Sequence, residues 1–228
     1  MLLLLASIFA LPLAATPVIE ETFQSLEAWE DLQFDGIDRA TDYSVTLKDR
    51  RPVLFIESDD GGSGIVHEKT FNVYEHRVIE WRWMVEDIIS TGDLRTEEGD
   101  TYPVRVYVNF EYAPDEVGFA TRVQYNALRA VYGEYPPLGS LVYIWSNRQW
   151  DMNWYESPFT SRAMMLPVDQ GTEELLTWKS HRRSIVEDYR EAFGEEPPST
   201  AHIAVMGDAY GSGETSRAWI DYIRVLPE

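Results

Sequence analysis

The sequence predicts a mainly β chain: a jelly-roll-type antiparallel β-sandwich with one α-helix near the C-terminal third. Three observations predict it. Short runs rich in Val, Ile, Tyr, Phe and Trp recur along the chain. Turn clusters such as SDDGGSG, STGDLRTEEGD, GEYPPLGS and GDAYGSGETS divide them. A single segment, near residue 180, breaks this pattern with helical spacing of its apolar side chains.

The expected strands, in order, are RPVLFIES (51–58), RVIEWRWMV (77–85), PVRVYVNFEY (103–112), SLVYIWSN (140–147), RAMMLPV (162–168), AHIAVMGDA (201–209) and RAWIDYIRV (217–225). Each has β-branched or aromatic residues at alternate positions, the pattern of a pleated surface buried on one face. The helix is expected over 172–193. Leu175, Trp178, Ile185, Tyr189 and Phe193 fall roughly on one stripe, Gly194 supplies a C-cap, and Pro197-Pro198 stops continuation. Trp178 and Tyr189 are the expected anchors of this helix on the sandwich.

Composition bounds the function. The chain has 228 residues, 44% hydrophobic and 25% charged, the make-up of an ordinary globular protein. With 19 Lys and Arg against 39 Asp and Glu, the net charge is -20. Such a field repels phosphate backbones and argues against nucleic-acid partners. With no cysteine there is no disulfide, no thiolate metal site and no cysteine nucleophile. The opening MLLLLASIFALPLAA is apolar, uncharged and ends in small residues, so 1–15 reads as a signal peptide and 16–228 as one exported domain, periplasmic or extracellular. No membrane span is expected in the mature chain. The oligomeric state is not legible.

Strand alternation nominates a working face. In PVRVYVNFEY, Val104, Val106, Val108 and Phe110 point one way, and Arg105, Tyr107, Asn109 and Glu111 the other. In SLVYIWSN, Tyr143, Trp145 and Asn147 share a side. If the two strands neighbour each other, Arg105, Tyr107, Asn109, Tyr143, Trp145 and Asn147 form one face, with Arg82 or Trp81 and Trp83 beside it. The acidic loop GDLRTEEGD would bring Arg95 and Asp100 to its rim, Asp100 reaching a ligand or fixing Arg105. Rings beside planar polar groups suit a sugar, whose C–H faces stack while its hydroxyls hydrogen-bond. The same residues equally suit a satisfied polar network within the fold. Arg148 and Arg162, with Arg95 and Arg105, could add a local basic patch.

Familiar catalytic signatures fail. His67, His76, His181 and His202 show no zinc spacing. GGSG from Gly61 lacks the last glycine of a nucleophile elbow. His181, among basic residues, reads as a solvated helix residue. Saccharide binding is the expected function. A polysaccharide lyase is one alternative, using Arg105, Asn147 and a tyrosine; a glycoside hydrolase, using Glu80 and Glu111, is another. An envelope scaffold without a small ligand is the third. No catalytic residue is assigned.

The termini EETFQSLEAWEDL and AWIDYIRVLPE resemble the first and last strands of carbohydrate-binding jelly rolls. That resemblance implies paired terminal strands and a structural calcium near Glu21 and Asp221; no other cofactor is expected. GDLRTEEGDTYPVRVYVNF, VYIWSN, SPFTSR, EDYREAFGEEPP and HIAVMGDAYGSGETSRAW resemble a bacterial family known as domain of unknown function 3047. The resemblance spans nearly the whole mature chain. It implies an exported, β-rich bacterial protein and carries no catalytic residues.

Overall fold

A computed structural model describes residues 16–132 and 135–228. The signal-peptide expectation for 1–15 lies outside the described residues. In chain order the elements are β1 (Ile19–Glu21), β2 (Trp29–Leu32), β3 (Asp42–Lys48), β4 (Arg51–Asp59), β5 (Gly62–His67), β6 (Phe71–Asn72), β7 (Val78–Val85) and β8 (Tyr102–Phe110). They continue as α1 (Phe119–Tyr132), β9 (Gly139–Ser146), β10 (Tyr155–Ser157), β11 (Thr160–Gln170), β12 (Lys179–Ser184), α2 (Ile185–Phe193), β13 (Thr200–Asp208) and β14 (Thr215–Leu226). All seven expected strands are present.

Two sheets face each other as a jelly-roll-type sandwich. The first runs β12-β7-β14-β4-β3, and β1 pairs with β14 beyond the end of β4, Glu21 opposite Ile223. The second runs β10-β11-β9-β8-β13-β5-β2, with β6 on β13. Among the described residues every pair is antiparallel except β9 with β11.

The core is what the alternation dictates. Val104, Val106, Val108 and Phe110 of β8 are buried between the layers. Trp81 and Trp83 of β7 meet Tyr143 and Trp145 of β9 there, with ring centroids 4.7 Å apart for Trp81–Tyr143 and 6.4 Å for Trp83–Trp145. Aromatic pairs of this kind add about 0.5–1.5 kcal/mol each beyond their burial.

Buried polar staples tie the layers. Asp169 of β11 accepts from the Trp83 indole at 2.6 Å and meets His181 Nε2 of β12 at 2.6 Å. Asp188 of α2 accepts from the Tyr143 hydroxyl at 2.7 Å and takes both guanidinium contacts of Arg183.

The helical reading of 172–193 needs correction. Only its second half is helix. Ile185, Val186 and Tyr189 are buried, Glu187 and Asp188 occupy the first turn, and Gly194 caps the end at φ 72°. Its first half is a turn followed by β12, an edge strand antiparallel to β7. Alternation along β12 sends His181 and Arg183 inward to Asp169 and Asp188, so their polarity disguised a strand. His181 is therefore a mostly buried, stacked side chain, 4.9 Å from the Trp81 ring, and not a solvated one. Trp178 precedes β12. It packs with Phe55 and Trp219 beside Arg82, so it anchors no helix.

A second helix, α1, was not expected. Among its described side chains Tyr125 is buried, and it stacks on Tyr112 at 4.3 Å.

Candidate functional site

A cleft of about 560 Å³ lies on the outer face of the second sheet. Register explains its floor. Arg105 pairs with Met206 of β13, Tyr107 with Val142 of β9, and Val142 with Met165 of β11, so these side chains share the face turned away from the core. Asp100 and Thr101 enter from the loop before β8, and Asp208 from the end of β13. Phe34, from the loop of residues 34–37, Phe159, from the β10–β11 turn, and Tyr210, just after β13, form an aromatic rim. Phe159 is 62% exposed and Tyr210 47%. The Tyr210 hydroxyl donates to the Gly36 carbonyl at 3.1 Å, drawing two rim loops together.

Arg105 organises the floor. Its Nη1 donates to Asp100 Oδ2 at 3.0 Å. Its Nη2 donates to the Asp100 carbonyl at 2.7 Å and to Asp208 Oδ2 at 2.8 Å. Asp208 also accepts from the Tyr210 amide at 2.9 Å. Burial opposes the charge on Arg105, but Asp100, Tyr107 and Asp208 outweigh it, so the guanidinium holds its proton more firmly than usual. Burial pushes the Tyr107 phenol up and also raises Asp208, with Arg105 opposing both. Three buried polar atoms here have no partner among the described protein atoms: Asp100 Oδ1, Thr101 Oγ1 and Arg105 Nε.

The expected site residues divide. Arg105, Tyr107 and Asp100 meet at the cleft. Asn109 shares their face but lies one row away, where Ser140 Oγ donates to its Oδ1 at 2.7 Å and its Nδ2 reaches His202 Nε2 at 3.3 Å. Tyr143 and Trp145 do not join them. Arg105 sits opposite Ile144 and Tyr107 opposite Val142, so Tyr143 and Trp145 point into the core. Trp81 and Trp83 belong to the other sheet and are buried, and Arg82 lies on that sheet's outer face.

Asn147 is a brace. Its Oδ1 accepts from the Ile89 amide at 3.0 Å, and its Nδ2 donates to the Thr101 carbonyl at 2.6 Å, fastening the loop that delivers Asp100. Gly92 packs so closely on it that a Cβ there would lie 1.7 Å from Asn147 Nδ2. Arg95 also serves the loop, pairing with Asp93 at 3.1 Å above the Trp150 ring. Arg148 shares Asp93, and Arg162 donates to the Leu138 carbonyl, so the expected basic patch is dispersed into separate partnerships.

Glu21 and Asp221, expected near a structural calcium, are both held by protein partners. Glu21 is engaged by the Trp29 indole and His67, each at 3.3 Å, and Asp221 by Arg82 at 2.8 Å. Among the described residues no group of three or more His, Asp or Glu is arranged to hold a metal. Calcium would need about 6–8 oxygens, and the Arg82 guanidinium lies against Asp221.

Sequence reasoning missed Phe34, Phe159, Met165, Met206, Asp208 and Tyr210. Asp208 and Tyr210 sat inside a segment legible only as a turn, and Phe159 inside SPFTSR, so neither carried a pairing signal.

The chain matches the family described as "Protein of unknown function (DUF3047)" over residues 27–224 and belongs to it. No curated protein matches the sequence. Among solved structures, a family 11 carbohydrate-binding module of a Clostridium thermocellum cellulosomal cellulase is similar at 10% identity and TM-score 0.44, covering 94% of this chain and 95% of that one. A family 30 carbohydrate-binding module of another cellulase from that organism is similar at 11% identity and TM-score 0.40, covering 94% of each chain. The K1 cleaved adhesin domain of Lys-gingipain from Porphyromonas gingivalis is similar at 9% identity and TM-score 0.41, covering 92% of this chain and 98% of that one. Among the described residues no helix is long and apolar enough to cross a membrane.

Proposed function

We propose that this chain is exported and that residues 16–228 act as one saccharide-binding unit, with the cleft over β8, β9, β11 and β13 as the site. The observation that carries this reading is the cleft's composition. A polar floor of Asp100, Thr101, Arg105 and Asp208 lies beneath a rim of Phe34, Phe159 and Tyr210. Sugar C–H faces would stack on the rim while hydroxyls reach the floor. The volume of about 560 Å³ falls in the ordinary range for small-ligand sites. Export rests on the apolar, charge-free opening of the sequence.

The geometry weighs against the two enzymatic readings. A lyase would use Arg105 to neutralise a uronate, but both of its terminal nitrogens are already engaged by Asp100 and Asp208. The hydrolase pair is not assembled: Glu80 stands on β7 of one sheet beside Arg182, and Glu111 follows β8 of the other, 3.8 Å from His202.

A glycan array probed with wild type and Phe159→Ala tests the proposal. Wild type should retain at least one oligosaccharide. The variant should lose about tenfold or more in affinity with an unchanged melting temperature, because Phe159 is mostly exposed. Failure of wild type to bind any glycan would contradict the reading and favour a scaffold. Turnover of a bound glycan would make the protein an enzyme.

A further inference from the structure

The cleft's charge narrows the class of sugar, on the premise that it binds saccharide. Four carboxylates line it, from Asp35, Glu97, Asp100 and Asp208, against the single guanidinium of Arg105. That guanidinium is already shared by two of the four. Glu97 and Asp35 form no ion pair among the described residues. Asp100 is only 6% exposed, yet its Oδ1 has no partner among the described residues. Asp35 and Glu97, both exposed, are the carboxylates open to a ligand.

We propose that the cleft selects a saccharide bearing a free ammonium group, such as a glucosamine oligomer, over its N-acetylated or uronate counterparts. An ammonium carries three donors and no acceptor, which suits the exposed carboxylates of Asp35 and Glu97. Its charge is attracted to the faces of Phe34, Phe159 and Tyr210, as cations are by aromatic rings. The same rings offer a stacking surface to sugar C–H faces, which a simple polyamine does not supply. A uronate would bring a fifth carboxylate into a cleft that holds four, within a chain of net charge -20.

Calorimetric titration with a glucosamine tetrasaccharide, its N-acetylated form, a galacturonate tetrasaccharide and tetralysine tests this. The glucosamine oligomer should bind about tenfold or more tightly than any of the other three at low salt and mildly acidic pH. Phe159→Ala should weaken its binding about tenfold or more. Glu97→Gln, a change at an exposed loop, should shrink its advantage several-fold without lowering the melting temperature. Equal or tighter binding of the N-acetylated or uronate oligomer would overturn the selectivity and leave the saccharide site standing. Equal binding of tetralysine would reduce the effect to counterion attraction and overturn the proposal. If neither these oligomers nor any array glycan binds, both the selectivity and the saccharide reading fail.

Discussion

Arg105 of β8 donates to Asp208 of β13 at 2.8 Å, and both side chains are buried beneath the cleft. With Asp100 on its other terminal nitrogen, Arg105 bridges two strands and a loop. Arg105→Ala would leave two carboxylates facing each other without their cation. Breaking a buried ion pair on one side costs about 3–5 kcal/mol. At about 2–4 °C per kcal/mol for a chain of this size, thermal melting should fall by roughly 6–20 °C. A variant that melts like wild type would show that the guanidinium is dispensable to the fold.

Tyr143 tests the reassignment from ligand face to core. Its hydroxyl donates to buried Asp188 at 2.7 Å, and burial beside that carboxylate holds the phenol well above its usual pKa. Tyr143→Phe removes one hydrogen bond to a charged group, a loss of about 1–3 kcal/mol, while Arg183 still holds Asp188. The melting temperature should drop and saccharide affinity should not change. Weakened binding in a variant of undiminished stability would return Tyr143 to the ligand face.

The parity of two strands explains that reassignment. Arg105 opposes Ile144 and Tyr107 opposes Val142, so odd positions of β8 share a face with even positions of β9. Period-two alternation sorts side chains within one strand but does not give the register between strands, and a shift of one residue exchanges the faces. The strands themselves were legible because their inward positions are mostly apolar or aromatic. α1 was not, since Tyr125 is the single buried residue among its described side chains. β12 was misread because its inward residues are His181 and Arg183, whose carboxylate partners on β11 and α2 appear only in three dimensions. The cleft's rim was out of reach for the same reason: Phe34, Phe159 and Tyr210 are far apart in the chain and meet through topology.

His202 should set a pH dependence. Burial lowers its pKa, with Glu111 opposing, and the Asn109 amide donates to a ring nitrogen that only the neutral form leaves free to accept. In the unfolded chain the ring titrates near its ordinary value, about 6.5. Because the folded value is depressed, the stabilisation from neutral His202 is complete above the ordinary value and is lost as pH falls through the lowered one. The melting temperature of wild type should therefore decline faster than that of His202→Gln on moving from neutral to mildly acidic pH. Parallel curves would show that this ring is not the titrating group.

Export predicts a processed N-terminus. Mass spectrometry of protein recovered from the native host should find the mature chain starting near Thr16. An intact Met1 on cytoplasmic protein would refute it.

Hydrogen–deuterium exchange with the tightest-binding oligosaccharide of the array tests the cleft most directly. Ligand should slow exchange in residues 34–37, 97–101, 157–163 and 206–210, the four segments that line the cleft with Arg105. Protection confined to the outer face of the other sheet, around Arg82 and Trp178, would contradict it.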